Sequence, residues 1–359
     1  MLNKIMPIAT SIFLASCLCN PPKTSTNAND AHSASTKTVN LAIWSNYITP
    51  EMIAEFNEKT GIRIEVTNYS SNEELLAKLQ AGATGYDVVV PSDYMVAAMV
   101  SLGLAQKLDK SMITNMSELD PKLMRKNFDP TNDHSVPYGY TISGLAFNKE
   151  KYKGSTQSWS AIFENKEASG RISMLDDVRE TMGAALKFKG FSLNSVKPEE
   201  LAIGKALLIA AKPHVKAFTS EPSEPVIQGE VWAAQMYSSD ALQARRKTNG
   251  KIMFSTPIEG ATMAIDNLVI PVGAEHMAEA HALINYLISK EANLKFVQSI
   301  MAGPVNINTR ASLPEDLQNE PALFPPDDII ARCEMMQDLG EATDLYDRIW
   351  TEVKVATAP

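Results

Sequence analysis

Apolar residues along the chain fall into short continuous runs and longer stretches with helical spacing. Val39 to Trp44 alternates too little for a half-exposed strand and reads as buried parallel β-structure. Thr49-Pro50-Glu51 then opens a helix, with Thr49 as N-cap, Pro50 in the first turn and Glu51 at the positive end. Met52, Ile53 and Phe56 form its apolar face, and Gly61 ends it. Ile62 to Tyr69 predicts a second strand. A second helix is expected with Asn72 as cap, Leu75, Leu76 and Leu79 inward and Gly82 at its end, followed by a third strand from Tyr86 to Val90. This β-α-β-α-β order implies an α/β fold with a parallel sheet and right-handed crossovers.

After Pro137 the pattern changes. Tyr138 to Asn148 is a long apolar run, expected to cross from one lobe to another. Beyond it the pattern predicts strands at Arg171–Leu175 and Val231–Met236, and helices at Val178–Phe188 and Pro198–Ala211. Met263 to Pro271 is strand-like and is expected to cross back; Glu275 to Ile288 is an amphipathic helix, and the tail from Pro326 to Val355 reads as helical. Two crossings make each lobe discontinuous: residues 38–143 with 266–309, and 144–265 with 310–355. Hinge closure over the crevice between them is the natural motion of such an arrangement.

Before Asp30, Lys4 and Lys23 are the only charges, and Ile5 to Ala15 is apolar but short for a membrane span. The run closes on Leu14-Ala15-Ser16-Cys17, which looks like a bacterial lipoprotein signal covering residues 1–17, with Cys17 as the lipidated residue. An ordinary signal peptide that discards Cys17 is the alternative. Residues 18–37, rich in Ser, Thr, Asn, Ala and Pro, read as a flexible tether. The formal net charge of −9 argues against nucleic acid as a partner. His276 and His281 have the wrong spacing to share a metal on a helix, no phosphate-binding glycine loop is present, and no cofactor or structural disulfide is expected.

The chemistry gathers where the strands stop. Trp44, Ser45, Asn46 and Tyr47 follow the first strand; Ser92, Asp93 and Tyr94 follow the third; Asp177 and Glu180, then Tyr237 and Asp240, follow strands of the second unit. Ligands of open α/β sheets bind beyond the carboxyl ends of strands, so these residues are expected to face one crevice. Ring faces with carboxylates suit a cation that has an apolar body. Asp266 lies inside the apolar run Met263 to Ile270, where an unpartnered charge is costly, so it is the leading candidate for a ligand anchor. Asp177, Glu180 and Asp240 also stand where helix-capping or dipole compensation would put an acid. Asp93 reads as a rim or capping charge.

These residues, in this order, resemble the spermidine/putrescine-binding proteins of bacterial polyamine ABC importers. The markers include Trp44-Ser45-Asn46-Tyr47, Tyr86-Asp87-Val88-Val89-Val90-Pro91-Ser92, Asp176-Asp177-Val178-Arg179-Glu180, Gly229-Glu230-Val231 and Asp266-Asn267-Leu268. The resemblance implies a two-lobed periplasmic-binding-protein fold holding a putrescine- or spermidine-type ligand. It also implies importer membrane subunits as partners, an extracytoplasmic location with a lipid anchor, and no enzymatic activity; a monomer is expected. It implies that Trp44 and Tyr47 flank an amine, that Ser92 and Tyr94 form a second wall, and that Asp177, Glu180, Asp240 and Asp266 supply acid. The chain departs from the family pattern at Asn46 (usually an acid), Tyr237 (usually Trp), Ala264 (usually a large aromatic) and Met336, whose place Gln337 takes if the alignment slips by one. A different amino-bearing ligand, or a sensor role, would use the same scaffold. An enzyme on this fold would need a nucleophile, and Cys333 has no base placed beside it by the sequence.

Overall fold

The structure, a computed structural model, describes residues 37–45, 47–82 and 85–356. The signal segment, Cys17, most of the tether and Asn46 lie outside the described residues.

Among the described residues nine strands join in a single hydrogen-bonded arrangement: β1 (Thr38–Trp44), β2 (Arg63–Tyr69), β3 (Val88–Val89), β4 (Ser135–Asn148), β5 (Ile172–Leu175), β6 (Val215–Thr219), β7 (Ala233–Tyr237), β8 (Ile252–Ser255) and β9 (Met263–Val269). The order is β2-β1-β3-β9-β4-β7-β5-β6, with β8 also on β4. β1 is parallel to β2 and β3, and β5 is parallel to β6 and β7. The first half follows from local signals. The Thr49 hydroxyl accepts from Met52 N at 3.3 Å, and Gly61 ends the helix Pro50–Thr60 at φ 70°, which turns the chain into β2.

The long run after Pro137 changes strand partners along its length. Its first part, from Ser135 to Ile142, pairs with β9; from Ser143 to Phe147 it pairs with β7, and from Leu145 to Asn148 with β8. β9 is therefore the partner of the crossing strand on one side, and Thr262, just before it, takes Ser143 N at 2.9 Å. Two large apolar cores lie on the two sides. One contains Leu41, Ile43, Phe56, Leu283 and Phe296; the other contains Trp159, Met174, Leu186 and Trp350. Met263 packs against both. Leu313, Ala322 and Leu323 join the first core, whereas Tyr346, Ile349 and Val353 join the second.

Two sequence expectations are corrected. The helix Asn72–Gln80 is capped by Ser71, whose hydroxyl accepts from Glu74 N at 3.1 Å; Asn72 is the first helical residue and turns its amide elsewhere. The tail is not continuous helix. Helical turns occur at Asp327–Ile330 and again from Gly340, with the main helix at Thr343–Val355. Between them the backbone pairs with the strand region: Met263 N donates to Glu334 O at 2.9 Å, and Glu334 N to Ala261 O at 3.0 Å. Local helix propensity there yields to hydrogen bonding with a neighbouring segment. Cys333 and Met336 consequently stand outside any long helix.

Gly303 has a packing reason. A Cβ at this position would overlap the ring of Tyr140, which is buried and holds its hydroxyl against Leu323 O. Gly303→Ala is therefore expected to lower stability by about 1–3 kcal/mol, the usual cost of overpacking, measured as a shifted urea midpoint at unchanged slope.

Candidate ligand crevice

Asp266 sits in β9 with 6% of its surface exposed. The Ser92 hydroxyl donates to its Oδ1 at 2.8 Å, and the Tyr47 hydroxyl also hydrogen-bonds it. Ser92 precedes the helix Asp93–Ser101 in N-cap position, yet its side chain makes no cap bond. It serves the carboxylate instead. Tyr47 stands on the turn after β1. Its carbonyl accepts from Tyr138 Oη at 2.8 Å, and its ring meets Phe296 edge-on with centroids 5.7 Å apart. Trp44 packs on Tyr69 at 4.7 Å between centroids, and its buried Nε1 has no hydrogen-bond partner.

On the other side, Asp177 caps the helix Val178–Phe188. Its Oδ1 accepts from Arg179 N at 2.8 Å and from Glu180 N at 3.0 Å. The capping role foreseen for Asp177 is thus real, and its charge acts on Tyr94 and Tyr237 as well. Glu180, in the first turn, is 2% exposed. The hydroxyls of Ser143, Thr262 and Tyr237 face it, while its Oε2 has no hydrogen-bond partner. Tyr237 ends β7. Asp240 lies in the first turn of the helix Ser238–Lys247, where no side chain caps the start, and its charge acts on both Tyr47 and Tyr237. Asp240 therefore joins the two aromatic walls.

These carboxyls are held away from their ordinary state. Glu180 is pushed up to about 8, first by burial and then by the field of Asp177, with the surrounding hydroxyls opposing. Burial pushes Asp266 up to about 6 against the hydrogen bonds from Ser92 and Tyr47, and Asp240 to about 6. Among the described residues, neither Glu180 nor Asp266 forms an ion pair with a lysine or arginine. Buried acids with no lysine or arginine in ion-pair contact, bounded by ring faces, are what a cationic guest completes.

Asp93 departs from expectation. It is 1% exposed rather than at a rim, and burial pushes it to about 7. Its carboxylate accepts from Tyr94 N at 2.8 Å and Ile265 N at 3.3 Å, behind Asp266. Ser45 is exposed. Sequence reasoning also passed over Ser143, Thr262 and Gln235, whose Nε2 donates to Glu180 O at 2.9 Å. Each is a polar residue in an apolar run, the same signal that pointed to Asp266. Among the described residues no cluster of His, Cys, Asp and Glu is arranged for a metal. Burial raises the Cys333 thiol, the opposite of what activates a nucleophile.

Comparison with known proteins extends this picture. The family model for bacterial extracellular solute-binding proteins matches residues 51–325. The chain is 32% identical over 361 residues to spermidine/putrescine-binding periplasmic protein 1 of Haemophilus influenzae, covering 99% of this chain and 100% of that one. The spermidine/putrescine substrate-binding protein PotD of Streptococcus pneumoniae superimposes with a TM-score of 0.82 at 28% identity, over 89% of this chain and 98% of that one. The TpPotD lipoprotein of Treponema pallidum does so with a TM-score of 0.81 at 28% identity, over 88% and 99%.

The raised carboxyls make stability depend on pH with a definite sign. Between their unfolded values near ~4 and their folded values, the folded protein holds protons that the unfolded chain has released. Stability of the ligand-free protein is therefore expected to fall as pH rises from about 5 to 8, above the range where the carboxyls held low, such as Glu55 and Glu74, set the opposite slope. Glu180→Gln should flatten the upper part of this slope, and thermal midpoints across the range would show it.

Proposed function

The chain belongs to the bacterial extracellular solute-binding protein family, a family of binding proteins and not of enzymes, and on that premise we propose that it captures a polyamine between two lobes and delivers it to the membrane subunits of an ABC importer. The observation that carries the ligand class is the pair of buried, unpaired carboxyls Glu180 and Asp266, with the half-buried Asp240, beside Trp44, Tyr47 and Tyr237. In this reading Asp266, with Ser92 and Tyr47, holds one ammonium group. Glu180, with Asp177 and Tyr237, holds another, and Asp240 lies near the ring walls between them. In the same reading Ser45 and Tyr94 line the crevice, while Asn46 lies outside the described residues. The relatives named for spermidine and putrescine support this choice.

Each charge-assisted hydrogen bond to ammonium contributes about 1.5–3 kcal/mol, and each ring face about 0.5–2 kcal/mol. After the cost of immobilising a flexible ligand, a dissociation constant near ~1 μM is reasonable. Ala264, partly exposed in β9 opposite Thr141, puts a methyl group where the family pattern has an aromatic ring, leaving the apolar stretch of the ligand less covered.

The lobes of this reading follow the sequence division, 38–143 with 266–309 and 144–265 with the C-terminal helix. The segment holding Leu313 and Leu323 is assigned to the first lobe on the strength of its packing. The protein acts outside the cytoplasm as a monomer, anchored through lipid on Cys17; the Treponema pallidum relative, itself a lipoprotein, supports the anchor.

Calorimetric titration with putrescine, cadaverine, spermidine and spermine, after bound ligand has been removed, tests the proposal. Saturable one-to-one binding of any of them supports it, and no binding by folded protein refutes it. Asp266→Asn is expected to weaken binding at least about tenfold, or about 1.4 kcal/mol; an unchanged titration removes Asp266 from the site. Ala264→Trp is expected to tighten a linear polyamine by covering its methylenes, and equal or weaker binding refutes the open-slot reading. Binding at pH 7 should also release protons, because a cation beside Glu180 favours its charged form. Titration in two buffers of different ionisation enthalpy measures this.

A further inference from the structure

We propose that Asn72 is a positioning residue for the crevice, acting through Ser92 and Tyr94. It lies one residue beyond the helix cap and is 6% exposed. Both ends of its amide go to residues of the opposite wall. Oδ1 accepts from Ser92 N at 3.1 Å, and Nδ2 donates to the Tyr94 hydroxyl at 3.0 Å. A capping role does not account for it, since Ser71 already caps the helix Asn72–Gln80.

The consequences follow along two branches. Through the first, Asn72 holds the backbone N–H of Ser92, whose carbonyl is taken by Met95 N and Val96 N. That residue has no cap bond of its own to hold its side chain, and its hydroxyl meets Asp266 at 2.8 Å. A shift of Ser92 by a few tenths of an ångström degrades this bond, because hydrogen bonds weaken steeply off their preferred geometry. Through the second, the Tyr94 hydroxyl accepts from Asn72 and donates to Glu73 Oε1 at 3.0 Å. Its one proton is thus committed within the protein, and Tyr94 is left to present its ring face. The field of Asp177 also reaches Tyr94. Two neighbouring residues, Asn72 and Glu73, thereby orient a wall that neither belongs to.

The inference rests on the polyamine reading only for its binding readout. The first measurement is the titration of the Asp266 carboxyl in ligand-free protein, followed by carbon-13 NMR in wild type, Asn72→Ala, Ser92→Ala and the double variant. The Ser92 hydrogen bond favours the charged form of Asp266. Asn72→Ala should therefore move the Asp266 midpoint upward in the same direction as Ser92→Ala, and should move it no further once Ser92 is already Ala. An unmoved midpoint, or equal additive shifts, overturns the proposal. The second measurement is polyamine affinity. Asn72→Ala is expected to weaken binding about tenfold in the wild-type background, and less than about twofold when Ser92→Ala and Tyr94→Phe are present. Equal losses in both backgrounds mean a general structural role and overturn it. Should Asn72→Ala fail to fold, Asn72→Ser, too short to span both partners, takes its place in both experiments. If wild type binds no polyamine, the functional reading fails, and the NMR titration still decides the role of Asn72.

Discussion

The crevice depends on one electrostatic constraint: carboxyl groups have been taken out of water without being given an ion-pair partner. Glu180 and Asp266 are nearly inaccessible, and among the described residues no lysine or arginine pairs with either. The protein meets the cost by two means. It lets the groups hold protons, as their raised values express, and it surrounds them with hydroxyls from Ser92, Tyr47, Ser143, Thr262 and Tyr237. Hydroxyls are suited to this task because they can serve either the neutral or the charged acid by rotating. An arginine would stabilise the carboxylate permanently and leave nothing for a guest to do.

This constraint explains why the surrounding scaffold is so heavily hydrogen-bonded. Gln235 holds the carbonyl of Glu180 from β7, Asp177 holds the start of the same helix, and Asn72 holds the opposite wall. A charge-bearing side chain confers selectivity only if its position is set in advance, since a group that moves toward its ligand offsets the gain with ordering. The acids come from elements packed on different cores: Glu180 from a helix in the second, Asp266 from the strand beside the first. Relative motion of those cores changes the distance between the acids. That is the physical basis on which a flexible dication would select a closed form, since a ligand shifts a conformational equilibrium only through differential interaction with the two states.

The crossing strand β4 links these features. It pairs with β9 near Asp266 and with β7 near Tyr237, and it carries Ser143, which faces Glu180, at the change of partner. Residues at the junction are accordingly both part of the sheet and part of the crevice. Gly303, packed on the Tyr140 ring of the same strand, shows how little space is left beside it.

Much of this was legible in the sequence. Caps such as Thr49 and Gly61, the helices at Val178–Phe188 and Pro198–Ala211, and the long run after Pro137 are local or periodic signals, and the chain obeys them because each lowers free energy within a few residues. An acid in an apolar run marked Asp266 for the same reason: burial of a charge is costly wherever it happens. Other features were decided only by tertiary contact. Asp93 and Glu180 are both acids in the first turn of a helix; the sequence reads Asp93 as a rim or capping charge and leaves Glu180 between ligand contact and compensation for the helix dipole. Packing buries Asp93 behind β9 and turns Glu180 toward the hydroxyls of two other strands and a junction residue. Asn72 and Ser71 are likewise adjacent, and either would cap a helix; only the approach of Ser92 and Tyr94, some twenty residues on, separates their roles. The stretch around Glu334 loses its expected helix to pairing with Ala261 and Met263. Local free energies are written in neighbouring residues, whereas the partner of a buried polar group is settled by which distant segment the fold brings to it.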